Sequence, residues 1–348
     1  MKNICLKISL LLGVLISTVL PIDSWANPLK IGVVAPLTGP AATSGETVRN
    51  SIILAQEKFD PQKSVDFVFE DDQLQPKNTV TSVNKLISHD RVDGLIVFGS
   101  PTSLAVNSIA EQNKLPMVAL SIVDKVVAGK SYVFKHWVSS RVENELVVAE
   151  VKRRGYNRIA IIASTNDAML AMRDHFAASK FVDIVYSEDF PSEESDFRSA
   201  VTKIRQANPD AVYNLLWSPQ PAIFAKALRG GGYVGPMFGV HNLEDPKQIE
   251  ASDGTLNGAW FVTGDDSAAA EYYRDYEQRF GVSPAAGGPN AFDVAKMYIE
   301  AIKVNDIAKF LRSLNNFHGA YGEYGATGHN DFMIKAAKKS IADGKIIS

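Results

Sequence analysis

Residues 29–50 read LKIGVVAPLTGPAATSGETVRN. An apolar strand is predicted from Ile31 to Ala35, followed by a loop rich in Pro, Gly, Ser and Thr, and then by a helix. In open α/β sheets, ligands bind beside the loops that follow the carboxyl ends of the strands. This stretch therefore predicts an α/β fold with a binding site next to its first loop.

The first 26 residues have the organisation of a secretion signal. Lys2 and Lys7 precede an apolar core at 8–20, and Ser24-Trp25-Ala26 forms a small-x-small cleavage site. The core has about 13 residues, whereas a membrane-spanning helix needs roughly 20, so a membrane anchor is disfavoured. We expect cleavage after Ala26 and a location in the periplasm.

Composition excludes several classes of function. Cys5 is the only cysteine and precedes the apolar core, so cleavage leaves a chain without disulfides, thiolate metal ligands or a cysteine nucleophile. Removing 26 of the 348 residues leaves 322, enough for two domains. The net charge of −3 becomes −4, with 34 basic against 38 acidic residues. No basic stripe suggests a nucleic-acid partner.

Two series of apolar strand-like runs alternate with amphipathic helix-like runs, a pattern typical of doubly wound parallel sheets. Strands are predicted at 30–35, 65–70, 94–98 and 117–120 in the first series, and at 158–163, 184–187, 211–217, 237–240 and 258–262 in the second. Helices are predicted at 46–59, 77–89, 103–112, 168–179, 196–207, 221–228, 268–280 and 290–302.

These series predict two Rossmann-like lobes separated by a cleft. The lobes are expected at 27–138 with 264–318, and at 139–263 with 319–348. The chain is expected to cross between them near 137–141, 263–266 and 319–328. Closure of such lobes about a hinge is a known way of enclosing a ligand.

Several stretches resemble the leucine/isoleucine/valine-binding-protein family of periplasmic solute receptors. The resemblance lies in VVAPLTGPAATSGE, FEDDQLQPKNTVTSVNKLI, GLIVFGSPTSLAV, RIAIIASTND, DFRSAVTKIRQANPDAVY and AFDVAKMYIEAI. It implies two lobes joined by three crossings, with an amino acid or another small polar solute between them. It also implies delivery of that solute to a membrane permease powered by ATP hydrolysis.

The resemblance implies that loops after the third and fourth strands hold the ligand carboxylate. In this sequence those loops contain Gly99 and Ser100, and Ser121 to Val123. Independently, Ser100 or Thr102 is expected to cap a helix with Pro101 in its first turn, and the free N–H groups of a helix amino end attract anions. Capping of the helix without ligand contact is the alternative.

The sequence departs from amino-acid-binding members of this family at the ammonium site. His241 stands where those members carry an acidic residue, and neither a neutral nor a protonated imidazole replaces a carboxylate there. A small carboxylic or keto acid is therefore as much expected as an amino acid. If the loop is shifted by three or four residues, Glu244 or Asp245 supplies the missing carboxylate instead. His241 without any ligand role is a further alternative.

Other candidate ligand contacts follow from strand ends and from the resemblance. Val123 replaces a threonine of the family, and Ser44 replaces an aromatic residue that covers the ligand. Trp217, at the carboxyl end of a strand, is expected either to stack on the ligand or to pack the lobe edge. Asn166 and Asp167 are placed to contact the ligand or to cap the next helix.

No catalytic or metal-binding motif is found. The G-x-G-x-x-G at 230–235 follows a helix and precedes a strand, the reverse of the order in dinucleotide sites. No G-x-S-x-G occurs, and the six histidines lack metal-ligand spacing. We expect a binding protein with no cofactor and no metal, not an enzyme. A ligand-sensing receptor of the same fold is the alternative to transport.

Overall fold

The computed structural model describes residues 28–347. The predicted signal sequence at 1–26 lies outside the described residues, so its cleavage stays a prediction. Within 28–347, every helix is too short or too polar to cross a bilayer.

The first lobe is built on five parallel strands in the order β2-β1-β3-β4-β5. The strands are β1 (Leu29–Ala35), β2 (Val65–Asp71), β3 (Gly94–Phe98), β4 (Met117–Leu120) and β5 (Val133–Lys135), and the helices between them are α1 (Ala42–Phe59), α2 (Pro76–Lys85) and α3 (Ser100–Gln112). All residues of β3 and β4 are buried because helices cover both faces of the sheet. Their sequences accordingly read as unbroken apolar runs.

The second lobe contains seven strands in the order β14-β13-β10-β9-β8-β6-β7. The strands are β6 (Arg158–Ser164), β7 (Asp183–Phe190), β8 (Ala211–Leu215), β9 (Met237–Val240), β10 (Trp260–Gly264), β13 (Ala336–Ala342) and β14 (Lys345–Ile347). Its helices are α4 (Ser140–Arg154), α5 (Asp167–Ala178), α6 (Arg198–Ala207), α7 (Gln220–Gly230) and α8 (Pro246–Ala251). Strands β6 to β10 are parallel, whereas β13 and β14 add antiparallel strands at one edge.

The chain returns to the first lobe after β10. The returning elements are α9 (Ala270–Phe280), α10 (Gly288–Glu300), α11 (Ile307–Arg312), and the hairpin of β11 (Phe317–Gly319) and β12 (Gly322–Tyr324). Helices α9 and α10 pack against α1. The predicted fold class, an α/β protein with two doubly wound lobes, is confirmed.

The third crossing lies later in the chain than the sequence predicts. Tyr324 donates a hydrogen bond of 2.7 Å to Asp293 on α10, and Asp331 forms a β-bridge with Lys135. Residues up to Phe332 therefore belong with the first lobe, and the passage to β13 follows them. The expected boundary after residue 318 and the expected crossing at 319–328 both fall too early, because the sequence did not predict the hairpin.

A buried polar network ties the first crossing to the hairpin and α10. The Nε2 of His136 lies 2.7 Å from the Tyr324 hydroxyl, and Asn290 Nδ2 donates to the carbonyl of His136 at 3.1 Å. Burial lowers the pKa of His136 to about 3, so its ring is neutral at pH 7. Burial raises the pKa of Asp293 to about 6, although three donors bond its carboxylate. This network joins the two chain segments that lead into the second lobe.

Gly45 provides a test of how tightly β1, the loop after it and α1 are packed. A Cβ at Gly45 would lie 2.0 Å from the carbonyl oxygen of Pro36, which is main chain and cannot rotate away. We expect Gly45→Ala to lower the free energy of unfolding by about 1–3 kcal/mol through overpacking. Urea unfolding followed by circular dichroism measures this change.

Gly230→Ala is the matched control. Gly230 ends α7, and no atom lies within 4 Å of its added Cβ, so this variant should be as stable as the parent protein or more stable by up to about 1 kcal/mol. Equal unfolding midpoints for both variants would show that the β1–α1 turn tolerates extra volume.

Candidate functional site

A cavity of about 210 Å³ lies between the two lobes. It is found where the carboxyl ends of strands from both sheets meet, as predicted for open α/β folds. Its wall consists of Pro40, Ala41, Gln73, Leu74, Gln75, Phe98, Gly99, Ser100, Pro101, Leu120, Ser121, Ile122 and Trp137 on one side, and of Asn166, Ala168, Ser192, Trp217, Ser218 and His241 on the other.

Most of the candidate residues from the sequence lie on this wall. These are Gly99, Ser100, Ser121, Asn166, Trp217 and His241. The structure brings them together from loops that follow β3, β4, β6, β8 and β9. Their contact with a ligand stays a prediction.

Three candidates do not line the cavity. Helix α1 begins at Ala42, four residues before its predicted start, so Ala41 reaches the cleft and Ser44 lies within the helix. Val123 packs against the apolar core of the first lobe. Asp167 is exposed at the start of α5, because the preceding Asn166 caps that helix by accepting from Met169 N at 3.0 Å.

The amino end of α3 carries a pair of buried serines. Ser100 Oγ lies 2.9 Å from Ser121 Oγ, and both side chains are almost fully enclosed. Gly99 makes the turn from β3 into α3 with a φ of +97°, in the region that favours glycine. The predicted capping role is wrong, since no side chain caps this helix and the Thr102 hydroxyl donates to the carbonyls of Phe98 and Gly99. Pro101 has no N–H and the Ser103 N–H bonds the Gly99 carbonyl, so the N–H groups of Ser100 and Thr102 are the first-turn donors left for an anion.

Aromatic rings form the apolar part of the wall. Trp137 on the first crossing packs edge-to-face against Phe98 and against the His241 ring, with centroids 6.4 and 5.6 Å apart. Trp217 also packs edge-to-face against His241, with centroids 5.7 Å apart, and its backbone N–H donates to Ser164 Oγ. The half-buried Trp217 indole leaves a surface on which an apolar ligand can stack.

His241 follows β9 directly and is only 3% exposed. Its Nδ1 lies 3.2 and 3.3 Å from the two carboxylate oxygens of Glu143, which is fully buried in the first turn of α4. Burial raises the pKa of Glu143, and the nearby His241 acts in the opposite direction. His241 is therefore fixed by a partner 98 residues away in the sequence.

Glu244 and Asp245 are both engaged elsewhere. Glu244 accepts from Thr263 Oγ1 and Lys339 Nζ, each at 2.8 Å, and Lys339 also pairs with Asp266 at 2.6 Å. Asp245 caps α8 by accepting from the N–H of Lys247. Neither carboxylate lines the cavity, so the structure contradicts the alternative in which one of them binds a ligand ammonium. Within residues 28–347, His241 is the only ionisable side chain on the wall.

Sequence reasoning missed several residues of the site. Gln73, Leu74 and Gln75 follow β2, and applying the strand-end rule to that strand would have found them. Trp137 was expected only as a crossing residue. Glu143 lies on α4, a helix absent from the predicted elements, although the S-x-x-E spacing of Ser140 and Glu143 is a helix-start signal.

A family model described as periplasmic binding protein matches residues 28–338. The Leu/Ile/Val-binding protein BraC3 of Rhizobium johnstonii is 23% identical over 296 residues, covering 80% of this chain and 76% of that protein. The fold is shared with the branched-chain amino acid transporter substrate-binding protein LivJ of Streptococcus pneumoniae in complex with isoleucine (TM-score 0.86, 17% identity, 92% of this chain and 98% of that one). It is also shared with an ABC transporter solute-binding protein of R. palustris in complex with benzoate (TM-score 0.82, 19% identity, 92% and 95%).

Two substitutions test whether the cavity binds the solute. Ser100→Ala removes a polar contact and Trp217→Ala removes a stacking surface, so each should weaken solute binding by about 1–3 kcal/mol. Calorimetric titration with the tightest binder among benzoate, phenylpyruvate and isoleucine measures the change.

Ser108→Ala, on the exposed face of the same helix α3, is the control and should bind like the parent protein. Unchanged affinity in both test variants, with folding intact, would place the binding site elsewhere.

Proposed function

This chain belongs to the periplasmic binding protein family, and we propose that it captures a small organic acid with an apolar body for delivery to an ABC permease. The two lobes close over the acid, and polar groups of both lobes replace its water. Only the closed, loaded form is expected to dock productively on the permease, so binding sets the population that delivers solute.

One observation carries the choice of solute: within residues 28–347, no acidic side chain lies on the cavity wall. An ammonium group enclosed there would lose its hydration without meeting a carboxylate on the wall, which costs several kcal/mol. The acids closest in sequence to the expected ammonium site, Glu244 and Asp245, are already occupied by Lys339 and by the start of α8. An amino acid is therefore a poor fit to this cleft.

A carboxylate meets donors on both sides of the same cleft. In the first lobe these are the amino end of α3 and the hydroxyls of Ser100 and Ser121. In the second lobe, His241 faces the cavity. A single carboxylate that accepts hydrogen bonds from both lobes favours the closed arrangement, because its bonds are complete only when the lobes meet.

The remaining wall suits an apolar or aromatic body. Phe98, Trp137 and Trp217 present rings, and Leu74 and Ile122 add aliphatic surface. Burial of such surface supplies about 25 cal/mol per Å². The benzoate bound by the R. palustris relative has this combination of a carboxylate and an apolar ring.

Transport is favoured over a purely sensing role. The LivJ and R. palustris structures are named as binding proteins of transporters, which supports uptake and not a receptor that moves no solute. They are also binding proteins and not enzymes by name, which supports capture of the solute without chemical change.

A thermal-shift screen with matched solutes tests the proposal. Phenylalanine is compared with hydrocinnamate and phenylpyruvate, isoleucine with its deaminated keto acid, and benzoate is added. Because a ligand at about 100 times its Kd stabilises the folded state by roughly 2.7 kcal/mol, the binders should raise Tm by several degrees. We expect the acids to raise Tm and the amino acids to leave it unchanged.

The matched pairs make the result decisive, since each amino acid differs from its partner only at the ammonium-bearing carbon. A larger shift with phenylalanine or isoleucine than with the deaminated partner would contradict the proposed class of solute.

A further inference from the structure

At the cavity, the wall residue His241 contacts a second ionisable side chain, the buried Glu143. Both oxygens of Glu143 lie within 3.3 Å of His241 Nδ1. The other ring nitrogen, Nε2, forms no hydrogen bond within the part of the chain that the structure describes. Since His241 lines the cavity, its Nε2 is the atom left to meet a solute.

The number of protons on this pair decides whether Nε2 donates or accepts a hydrogen bond. With two protons, one lies between Nδ1 and Glu143 and the other on Nε2, so the pair is neutral and Nε2 donates. With one proton, that proton stays between Nδ1 and Glu143, so the pair is negative and Nε2 presents a lone pair. The first state binds a carboxylate, whereas the second repels it.

We propose that the Glu143–His241 pair couples capture of the organic acid to uptake of one proton. The cleft binds the anion only when the pair holds this additional proton. This inference rests on the proposed function, because it takes a carboxylate as the solute. Glu143 is a positioning residue: it holds the Nδ1 proton and thereby directs Nε2 towards the cleft. No bond is broken, and the proton comes from solvent.

The pair is buried beside aromatic rings, with Glu143 fully enclosed and His241 only 3% exposed. The indoles of Trp137 and Trp217 flank the imidazole. Burial raises the pKa of Glu143, which favours states in which the pair holds an additional proton.

Other charged groups around the pair already have partners. Lys135 of β5 pairs with Asp124 at 3.2 Å and also bonds the Trp137 carbonyl. Glu244 is held by Lys339 of β13.

The neighbouring polar groups are also accounted for. From β8, the Tyr213 hydroxyl donates to Asn144 at 3.5 Å, and burial with the nearby Glu143 raises the Tyr213 pKa well above its usual value. From α5, His175 bonds Ser140. The Glu143 carboxylate therefore has His241 as its only hydrogen-bond partner among residues 28–347.

Calorimetric titration with benzoate from about pH 5.5 to about pH 8.5 tests the coupling, with phosphate and Tris compared at about pH 7.5, where both act as buffers. The two buffers differ in heat of ionisation, so the difference between the observed heats gives the number of protons taken up. Benzoate itself stays ionised throughout, because carboxylic acids titrate near pH 4. We expect affinity to fall by up to about tenfold per pH unit above the midpoint of the pair, with proton uptake rising towards about one.

Three variants separate the roles of the pair from those of the fold. His241→Gln keeps an N–H donor that does not titrate, so benzoate binding should persist and lose its pH dependence. Glu143→Gln removes the carboxylate that shares the additional proton with His241, so the fall of affinity with pH and the uptake of a proton should both be lost. Glu150→Gln, two turns further along α4 and paired with Arg153 and Arg154, should retain the parent pH profile.

The outcomes distinguish this inference from the proposed function. Benzoate binding that is independent of pH, without proton uptake, would overturn the coupling and leave the organic acid as solute. A Glu143→Gln protein with the parent affinity and pH profile would overturn the positioning role. Binding of phenylalanine in preference to benzoate and hydrocinnamate would overturn both proposals.

Discussion

A solute enclosed between two lobes loses its water, so every charge it carries must meet a protein group that replaces that water. In this protein the groups that we propose for this task are donors: the amino end of α3, a pair of serine hydroxyls, and an imidazole held by a buried glutamate. No carboxylate lies beside them on the cavity wall within residues 28–347. Because donors line the cleft and carboxylates do not, the cleft favours an anion, and we propose an organic acid as the solute.

The fold brings these groups together through the ends of its strands. Ser100 and Ser121 follow neighbouring strands of the first sheet, and His241 follows a strand of the second. The polar network of His136, Tyr324 and Asp293 joins the first crossing to the segment that leads into the third. Across the rim of the cleft, Lys247 Nζ donates to Thr43 Oγ1 at 2.9 Å, a contact that exists only when the lobes are close.

The sequence predicted those elements that depend on neighbouring residues in the chain. Strands such as β3 and β4 are buried on both faces, so their apolar runs identified them to the residue. Helix α4 was missed because it buries Glu143, Asn144 and Glu150, which removes the apolar stripe on which helix prediction depends. The partner of His241 could not be predicted either. A contact between residues 98 positions apart produces no pattern in the sequence around either residue. The predicted role of Thr102 was wrong for a related reason. The hydroxyl of a threonine at a helix start either caps the helix or donates to a preceding carbonyl, and the conformation of the turn decides which.

The most direct test of this interpretation is a crystal structure of the protein grown with benzoate. Our interpretation places the carboxylate within hydrogen-bond distance of the α3 amino end and of His241 Nε2, with the ring against Trp217. A benzoate bound outside the cleft, or an amino acid retained in the cleft with its ammonium against a carboxylate, would contradict it.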